Sequence, residues 1–298
     1  MPRIASLLPS ATEWVYALGL DDDLVAVTFE CDHPAQARTD KQVVVGGLDT
    51  SGSTPAEIDA AVRARAEAGE DLYTLDEQAL TALVPDVVLT QDLCRVCALP
   101  AGAVEQALDA VGCPGTVVTL DPHRLDDVLR GALDVAVACG LPERGQALHA
   151  RLRARLDAVT RQVAGRPRPR VLVLEWTDPP FLAGHWVPDL VEAAGAEPVL
   201  ASPGDRSTTC TWDDVADVDV DTVVVAPCGF GLRDAADQAR AVAARLPKDA
   251  RLLAVDAGAV VTRPGPRVVD GVEALAAAFH PEAGLDERPD LVSYDLRS

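Results

Sequence analysis

Short runs of β-branched residues alternate with longer helical patterns along this chain, and they constrain its fold more than any other feature. A first series lies at residues 3–8, 24–29, 42–45, 86–90 and 116–120, and a second at 170–175, 198–200, 222–226 and 252–255. Such alternation is typical of parallel α/β units. The sequence therefore predicts an α/β protein with two mainly parallel sheets, or one very long sheet.

One long amphipathic helix is predicted between the two series. Apolar residues recur along it at spacings of seven, four, four, three and four, which marks one face of a helix of about six turns. They are Leu141, Leu148, Leu152, Leu156, Val159 and Val163. Gly165 and Pro167 end this pattern. We expect an N-terminal α/β lobe at 1–140, a bridging helix at 141–165 and a C-terminal α/β lobe at 166–298.

The acidic balance of the chain excludes some classes of partner. Its 298 residues include 26 Lys and Arg against 47 Asp and Glu, which gives a formal charge of -21. This charge repels phosphate backbones, so we expect no nucleic-acid partner. No stretch reaches the roughly 18 uninterrupted apolar residues that span a bilayer, so we expect no membrane insertion.

The sequence predicts a cytoplasmic location. Its first residues run straight into an apolar, strand-like stretch, without a basic leader or a small-residue cleavage site. The seven cysteines form no short disulfide pattern, which fits a reducing compartment.

Polar and aromatic residues follow several predicted strands. Residues 10–13 read Ser-Ala-Thr-Glu, the spacing of a capping box, and predict that the first helix begins at Ser10. Glu30 and Cys31 follow the second strand, the segment 91–97 follows another, and Trp176 and Cys228 follow strands of the second series. Ligands of parallel sheets bind outside the carboxyl ends of the strands. We therefore expect these residues to meet in one ligand cleft between the lobes.

Four segments of the chain resemble the solute-binding protein family for cobalamin and iron-siderophores. They read SLLPSATE at 6–13, DLYTLD at 71–76, LVPDVVLT at 83–90 and RPGPR at 263–267. The resemblance spans nearly the whole chain and implies two α/β lobes joined by a rigid helix, with the ligand between them. It agrees with the helix predicted from the apolar spacing.

A second set of segments is similar to a leaderless branch of that family, usually named cobalamin-binding. They read ECDHP at 30–34, QDLCRVC at 91–97, WTDPPF at 176–181, AGHWVP at 183–188 and PCGFG at 227–231. Exported family members deliver their ligand to a membrane permease through acidic residues on each lobe. A protein kept inside the cell cannot do so, and a permease partner is therefore not expected here.

Aromatic residues of these segments suit a large, partly apolar ligand. Trp176, Phe181, Trp186 and Phe230 offer stacking surfaces for a corrinoid, and the alternative for each of the two tryptophans is a lid over a core. His185 is a candidate axial ligand to cobalt or a metal ligand, or an ordinary hydrogen-bonded histidine. Ser10 and Glu30 complete the predicted small-molecule site.

The cysteines support a different hypothesis. Cys94 and Cys97 form a C-x-x-C pair, and Cys31 and Cys228 lie on loops predicted to face them. Four thiolates would hold zinc or an iron–sulfur cluster, whereas the pair alone also suits a redox dithiol or inert thiols. In a catalytic site, nearby carboxylates would act as acids or bases. They are Glu30, Asp32, Glu175 and Asp178.

Three functions follow from these patterns. The first is intracellular binding of a cobalamin-like or other metal-chelate ligand without catalysis. The second is a metal-dependent or iron–sulfur enzyme that uses the four cysteines in the same cleft. The third is a regulatory or scaffold protein that has kept the fold and lost its ligand. A nucleotide-binding P-loop and a serine-hydrolase elbow are absent from the sequence, and we expect a binding protein rather than an enzyme.

Overall fold

The computed structural model describes residues 2–50, 52–93, 101–110, 115–294 and 296–297. The chain divides into two compact units. The first unit comprises residues 1–121 and 129–151, and the second comprises residues 122–128 and 152–298. Each unit is built around its own sheet.

The sheet of the first unit is mainly parallel. Its strands are β1 (Ile4–Ser6), β2 (Leu24–Thr28), β3 (Gln42–Gly47), β4 (Tyr73–Leu75), β5 (Val87–Thr90) and β6 (Thr116–Thr119). They lie in the order β4-β3-β2-β1-β5-β6. All of these neighbours pair in parallel except β3 and β4, which run antiparallel. The central strands carry buried aliphatic side chains, as expected for a sheet that helices cover on both faces.

Helices connect the strands of this unit. They are α1 (Pro9–Ala17), α2 (Ala37–Asp40), α3 (Pro55–Ala68), α4 (Glu77–Leu83), α5 (Ala101–Ala110), α6 (Leu125–Ala138) and α7 (Pro142–Val163). Helices α6 and α7 each contribute residues to both units. Trp14 of α1 is buried against Gly131 of α6, where a Cβ would lie only 2.8 Å from the indole nitrogen. The missing side chain therefore lets α6 approach α1 closely.

The turn from β1 into α1 differs from the sequence prediction. The helix begins at Pro9, and Leu8 rather than Ser10 is its N-cap, without a side-chain cap. Proline suits the first helical position because its φ is fixed and its missing N–H has no helical partner there. The predicted capping box at residues 10–13 is therefore wrong. The hydroxyl of Ser6 accepts a hydrogen bond from Thr12 at 2.8 Å and donates one to the Leu8 carbonyl at 2.9 Å.

The sheet of the second unit has a parallel centre and antiparallel edges. Its strands are β7 (Arg170–Thr177), β8 (Pro180–Leu182), β9 (Glu197–Pro198), β10 (Thr208–Thr209), β11 (Thr222–Val225), β12 (Arg251–Val255) and β13 (Val292–Ser293). They lie in the order β10-β8-β7-β11-β12-β13, and β9 pairs separately with β7. Strands β7, β11 and β12 are parallel, whereas β8, β10 and β13 join antiparallel.

Five further helices belong to the described part of the second unit. They are α8 (Val187–Ala193), α9 (Trp212–Ala216), α10 (Leu232–Val242), α11 (Ala257–Val260) and α12 (Val268–Phe279). Helix α10 presents Ala235 and Ala239 to a buried cluster that includes Leu172, Val223 and Leu252 of the sheet. Small alanines on the helix and larger side chains on the strands let the two layers pack closely.

The long helix predicted from the apolar spacing is present as α7. Leu148, Leu152, Leu156 and Val159 are all buried, as the spacing requires. Next to these buried residues, Arg155 forms a bidentate ion pair with Glu273 of α12, with N–O distances of 2.9 and 2.6 Å, and also contacts Asp270. Within the described residues, no helix combines the length and apolar character needed to cross a membrane.

The two mainly parallel sheets confirm the predicted α/β class. Runs that the sequence marked as strands coincide with strands, most of them buried, although β6 has no buried residue. The run at 198–200 is the exception, because β9 ends at Pro198 and Leu200 has a φ of 62°. The short antiparallel strands β4, β8, β10 and β13 were missed, since two or three residues are too few to show an alternating pattern.

Truncation of a central core residue tests the packing of the second unit. Leu172 of β7 is fully buried in the cluster beneath α10. We expect Leu172→Ala to lower the free energy of unfolding by about 2 to 5 kcal/mol, because it removes buried methyl groups and leaves a cavity. Urea unfolding followed by circular dichroism measures this change.

The matched control is Val137→Ala on α6, where the valine is 63% exposed. Its effect on the free energy of unfolding should stay within about 0.5 kcal/mol. Equal losses for the two variants would contradict the assigned burial.

Candidate functional site

A buried polar cluster lies at the carboxyl ends of the parallel strands in the first unit. Ser6, Thr28 and Thr90 end β1, β2 and β5, and all three are buried. Ser10 is also buried within α1. Because parallel strands end at the same edge of a sheet, hydroxyl groups from separate parts of the chain gather there. Ser10 lies in the first turn of α1, shortly after β1, and has little exposed surface.

Cys31 belongs to this hydroxyl cluster. Its Sγ lies 3.1 Å from the hydroxyl of Thr12, and it accepts a hydrogen bond from the Thr28 amide at 3.4 Å. The single hydroxyl proton of Thr12 is donated to Ser6, so Thr12 accepts from the thiol. Cys31 is therefore a fully buried thiol with protein partners on several sides.

Glu30 lies at the rim of the same edge. Its amide donates to the Thr28 hydroxyl at 3.1 Å, and its carboxylate accepts from the Tyr73 hydroxyl at 3.4 Å. Tyr73 also packs against Phe29, with ring centroids 6.4 Å apart. Glu30 is only partly buried, so its carboxylate can still meet a ligand.

An aromatic pair lies at the carboxyl edge of the second sheet. The ring centroids of Trp176 and Phe230 are 5.7 Å apart and their planes are tilted by 54°. Trp176 lies near the end of β7, and Phe230 follows β11, the parallel neighbour of β7. The indole N–H donates to the Asp178 carbonyl at 3.1 Å, which fixes the ring. Phe181 pairs with Trp176 across the β7–β8 ladder.

Trp186 has a different environment from this pair. It is 6% exposed, and its indole N–H donates to the Val261 carbonyl at 2.8 Å. The ring is thus buried inside the second unit, and its N–H has a hydrogen-bond partner there. Trp186, predicted as a ligand-binding residue, is therefore a core residue at the start of α8 with little surface for a ligand.

His185 is held in an unusual backbone conformation. Its φ is 52°, in the left-handed region that residues with a side chain seldom adopt. The amide donates to the Asp205 carbonyl, and the carbonyl accepts from the Gly204 amide at 2.9 Å. Burial lowers the pKa of His185, and the charges of His123 and Arg206 lower it further. The imidazole is therefore kept neutral at physiological pH.

His123 is a site residue that the sequence did not indicate. Its ring centroid lies 6.0 Å from that of His185. The next residue, Arg124, forms a bidentate ion pair with Asp189 of α8, and the Leu125 amide donates to the same carboxylate at 3.0 Å. The local sequence offers one sign of an ordered turn here. Asp127 lies four residues after His123, and its carboxylate accepts hydrogen bonds from the His123 and Arg124 amides.

The four-cysteine hypothesis stays a prediction. Cys94 and Cys97 lie outside the described residues, so their relation to Cys31 and Cys228 is not part of this structure. Cys228 is exposed, and its amide donates to the Glu175 carbonyl at 3.0 Å. Within the described part of the chain, no three His, Cys, Asp or Glu side chains are grouped to hold a metal ion.

Two compact units, each with its own mainly parallel sheet, define the fold class of this α/β protein. The family model described as periplasmic binding protein matches residues 4–265. The chain therefore belongs to the periplasmic binding protein family, which confirms the resemblance seen in its sequence. No curated protein matches the chain.

Solved structures of similar fold cover nearly the whole chain. A periplasmic heme-binding protein from Pseudomonas aeruginosa is 24% identical with a TM-score of 0.70, over 99% of this chain and 98% of that protein. A periplasmic vitamin B12-binding protein of Vibrio cholerae is 22% identical with a TM-score of 0.67, over 95% and 97%. A periplasmic heme-binding protein from Roseiflexus is 22% identical with a TM-score of 0.70, over 95% and 99%. At these identities the likeness establishes the fold.

The backbone that positions His185 can be tested at Gly184. A Cβ there would lie 2.3 Å from the Ser207 amide nitrogen and 2.6 Å from the Asp205 carbonyl oxygen. We expect Gly184→Ala to lower the free energy of unfolding by about 1 to 3 kcal/mol, because backbone atoms must move apart. The control is Gly258→Ala, because a Cβ at Gly258 would lie 3.6 Å from its nearest atom. This control should change the free energy of unfolding by less than about 0.5 kcal/mol. Urea unfolding of both variants decides the matter.

Elemental analysis tests the cysteine hypothesis directly. Protein purified without oxygen is compared with a Cys94→Ser/Cys97→Ser variant by metal analysis and an absorption spectrum. A four-thiolate site predicts stoichiometric zinc or iron in the wild type and its loss in the variant, because two of four ligands are removed. Metal-free wild-type protein would contradict a tightly bound structural metal.

Proposed function

We propose that the protein binds a cobalamin-like or other metal-chelate ligand in the cytoplasm, without transforming it. The observation that carries this proposal is the tilted pair of Trp176 and Phe230 at the carboxyl edge of the second sheet. In open α/β sheets, ligands bind at this edge. A corrinoid or related macrocycle offers a wide apolar surface, and aromatic side chains bind such a surface by contact and stacking.

The order of the aromatic pair supports a binding role. The indole of Trp176 is fixed by its hydrogen bond to the Asp178 carbonyl, and both rings keep exposed surface. A surface ordered before binding loses little conformational freedom when the ligand arrives. Phe181, which pairs with Trp176 across the ladder, extends the apolar surface along β8.

Membership of a solute-binding family supports binding rather than catalysis. The proteins of similar fold are described as binding heme or vitamin B12, which are both large metal-containing macrocycles. One of the carboxylates that a catalytic site would use already has a protein partner. The carboxylate of Glu30 accepts a hydrogen bond from the Tyr73 hydroxyl.

The intracellular part of the proposal has its support in the cysteines. Cys139 and Cys210 are free thiols in the described part of the chain. Free thiols persist in reducing compartments. Cell fractionation with an antibody to the protein tests the location, and recovery in a secreted or periplasmic fraction would overturn it.

A direct binding experiment tests the ligand. Purified protein is titrated with hydroxocobalamin and, separately, with hemin, and both tryptophan fluorescence and ligand absorption are recorded. We expect saturable binding of one of them, weakened about thirtyfold by Trp176→Ala, because loss of an aromatic anchor costs about 2 kcal/mol.

The control for this experiment is Trp212→Ala. Trp212 of α9 is a tryptophan of the same unit, but its ring packs beneath the guanidinium of Arg245, 5.3 Å away, and outside the proposed surface. Its affinity for the ligand should match that of the wild type. Equal losses in both variants, or no binding of either macrocycle, would refute the proposed ligand surface.

A further inference from the structure

Two imidazoles of the second unit lie at a distance that suits one shared metal ion. The ring centroids of His123 and His185 are 6.0 Å apart, and their planes are tilted by 48°. A metal–nitrogen bond of about 2.1 Å places a ligating ring centre about 3.2 Å from the metal, so two such rings are at most about 6.4 Å apart. The observed separation falls inside that limit.

We propose that His123 and His185 form a two-imidazole site for a divalent transition-metal ion. The site is distinct from the four-cysteine hypothesis and from the aromatic surface of the proposed function. Two protein nitrogens leave the remaining coordination positions to water or to another small ligand, as in open metal sites.

His185 is positioned for this role by its backbone. Hydrogen bonds at both its amide and its carbonyl fasten it to residues 204–205. Gly184 lies so close to residues 205–207 that a side chain there would collide with the backbone. Unfavourable left-handed conformations persist where the surrounding structure imposes them, and they cluster at functional sites.

His123 is positioned by contacts with the same helix that His185 precedes. The Arg124 guanidinium and the Leu125 amide both bind the carboxylate of Asp189, in the first turn of α8. His185 lies two residues before that helix. The segments that carry the two imidazoles are therefore both fastened near the N-terminus of α8, with the ring centroids 6.0 Å apart.

The surrounding charges determine which metals fit. Arg124 is neutralised by Asp189, but the charge of Arg206 also acts on His185 and opposes any cation. A metal must therefore gain enough from imidazole nitrogen to overcome that repulsion. Copper, nickel and zinc prefer such ligands, whereas magnesium and calcium prefer oxygen. We expect the site to bind Cu²⁺ more tightly than Ni²⁺, and not to bind Mg²⁺.

Titration calorimetry with Ni²⁺ on the metal-free full chain tests the site, without any organic ligand present. The variants are His123→Ala and His185→Asn, since asparagine tolerates the left-handed conformation. We expect one Ni²⁺ per chain in the wild type, and affinity reduced at least about tenfold in each variant. The control His149→Ala changes a histidine of α7 and should bind as the wild type does.

Two outcomes would overturn the proposal. One is the absence of saturable Ni²⁺ binding by the wild type. The other is unchanged affinity in both histidine variants, which would assign the metal to other residues. The spectrum of the Co²⁺ complex separates these sources, because a thiolate charge-transfer band would identify cysteine ligands, whereas imidazole ligands lack one. Circular dichroism of each variant confirms that it is folded.

Discussion

Parallel strand pairing is the constraint on which the rest of this structure depends. It joins β1 with β2 and β5 in the first unit, and β7 with β11 and β12 in the second. Each parallel pair needs a crossover that returns the chain to the starting edge, so the loops after the strands collect at one edge. Residues that are far apart in the sequence therefore meet within each unit: hydroxyl groups in the first unit, and aromatic rings in the second.

The same constraint explains how much of the fold the sequence predicts. Parallel strands are buried on both faces, so they appear as short β-branched runs, and Val223 to Val225 is a clear example. The long helix α7 was predictable because one apolar face repeats over many turns. The antiparallel edge strands carry no such signal. Thr208 and Thr209 form β10 only because Leu182 and Phe181 lie beside them.

The candidate site is only partly predictable, for a related reason. Trp176 and Phe230 follow predicted strands, so their neighbourhood follows from the topology of the sheet. The burial of Trp186 does not follow from the sheet topology, because its indole N–H binds the Val261 carbonyl, 75 residues away in the sequence. A sequence pattern shows which residues lie near the sheet edge, but the partner of each side chain decides whether its surface stays available for a ligand.

The contact between Arg124 and Asp189 shows where local reasoning ends. These residues are 65 positions apart, and no repeat or motif joins them. A largely buried carboxylate requires compensating hydrogen bonds, and Asp189 receives them from the guanidinium and from the Leu125 amide. That electrostatic requirement fixes the loop that carries His123. The left-handed backbone of His185 is fixed separately, by the packing of Gly184. Two independent constraints thus place the imidazoles side by side, and each is visible only in three dimensions.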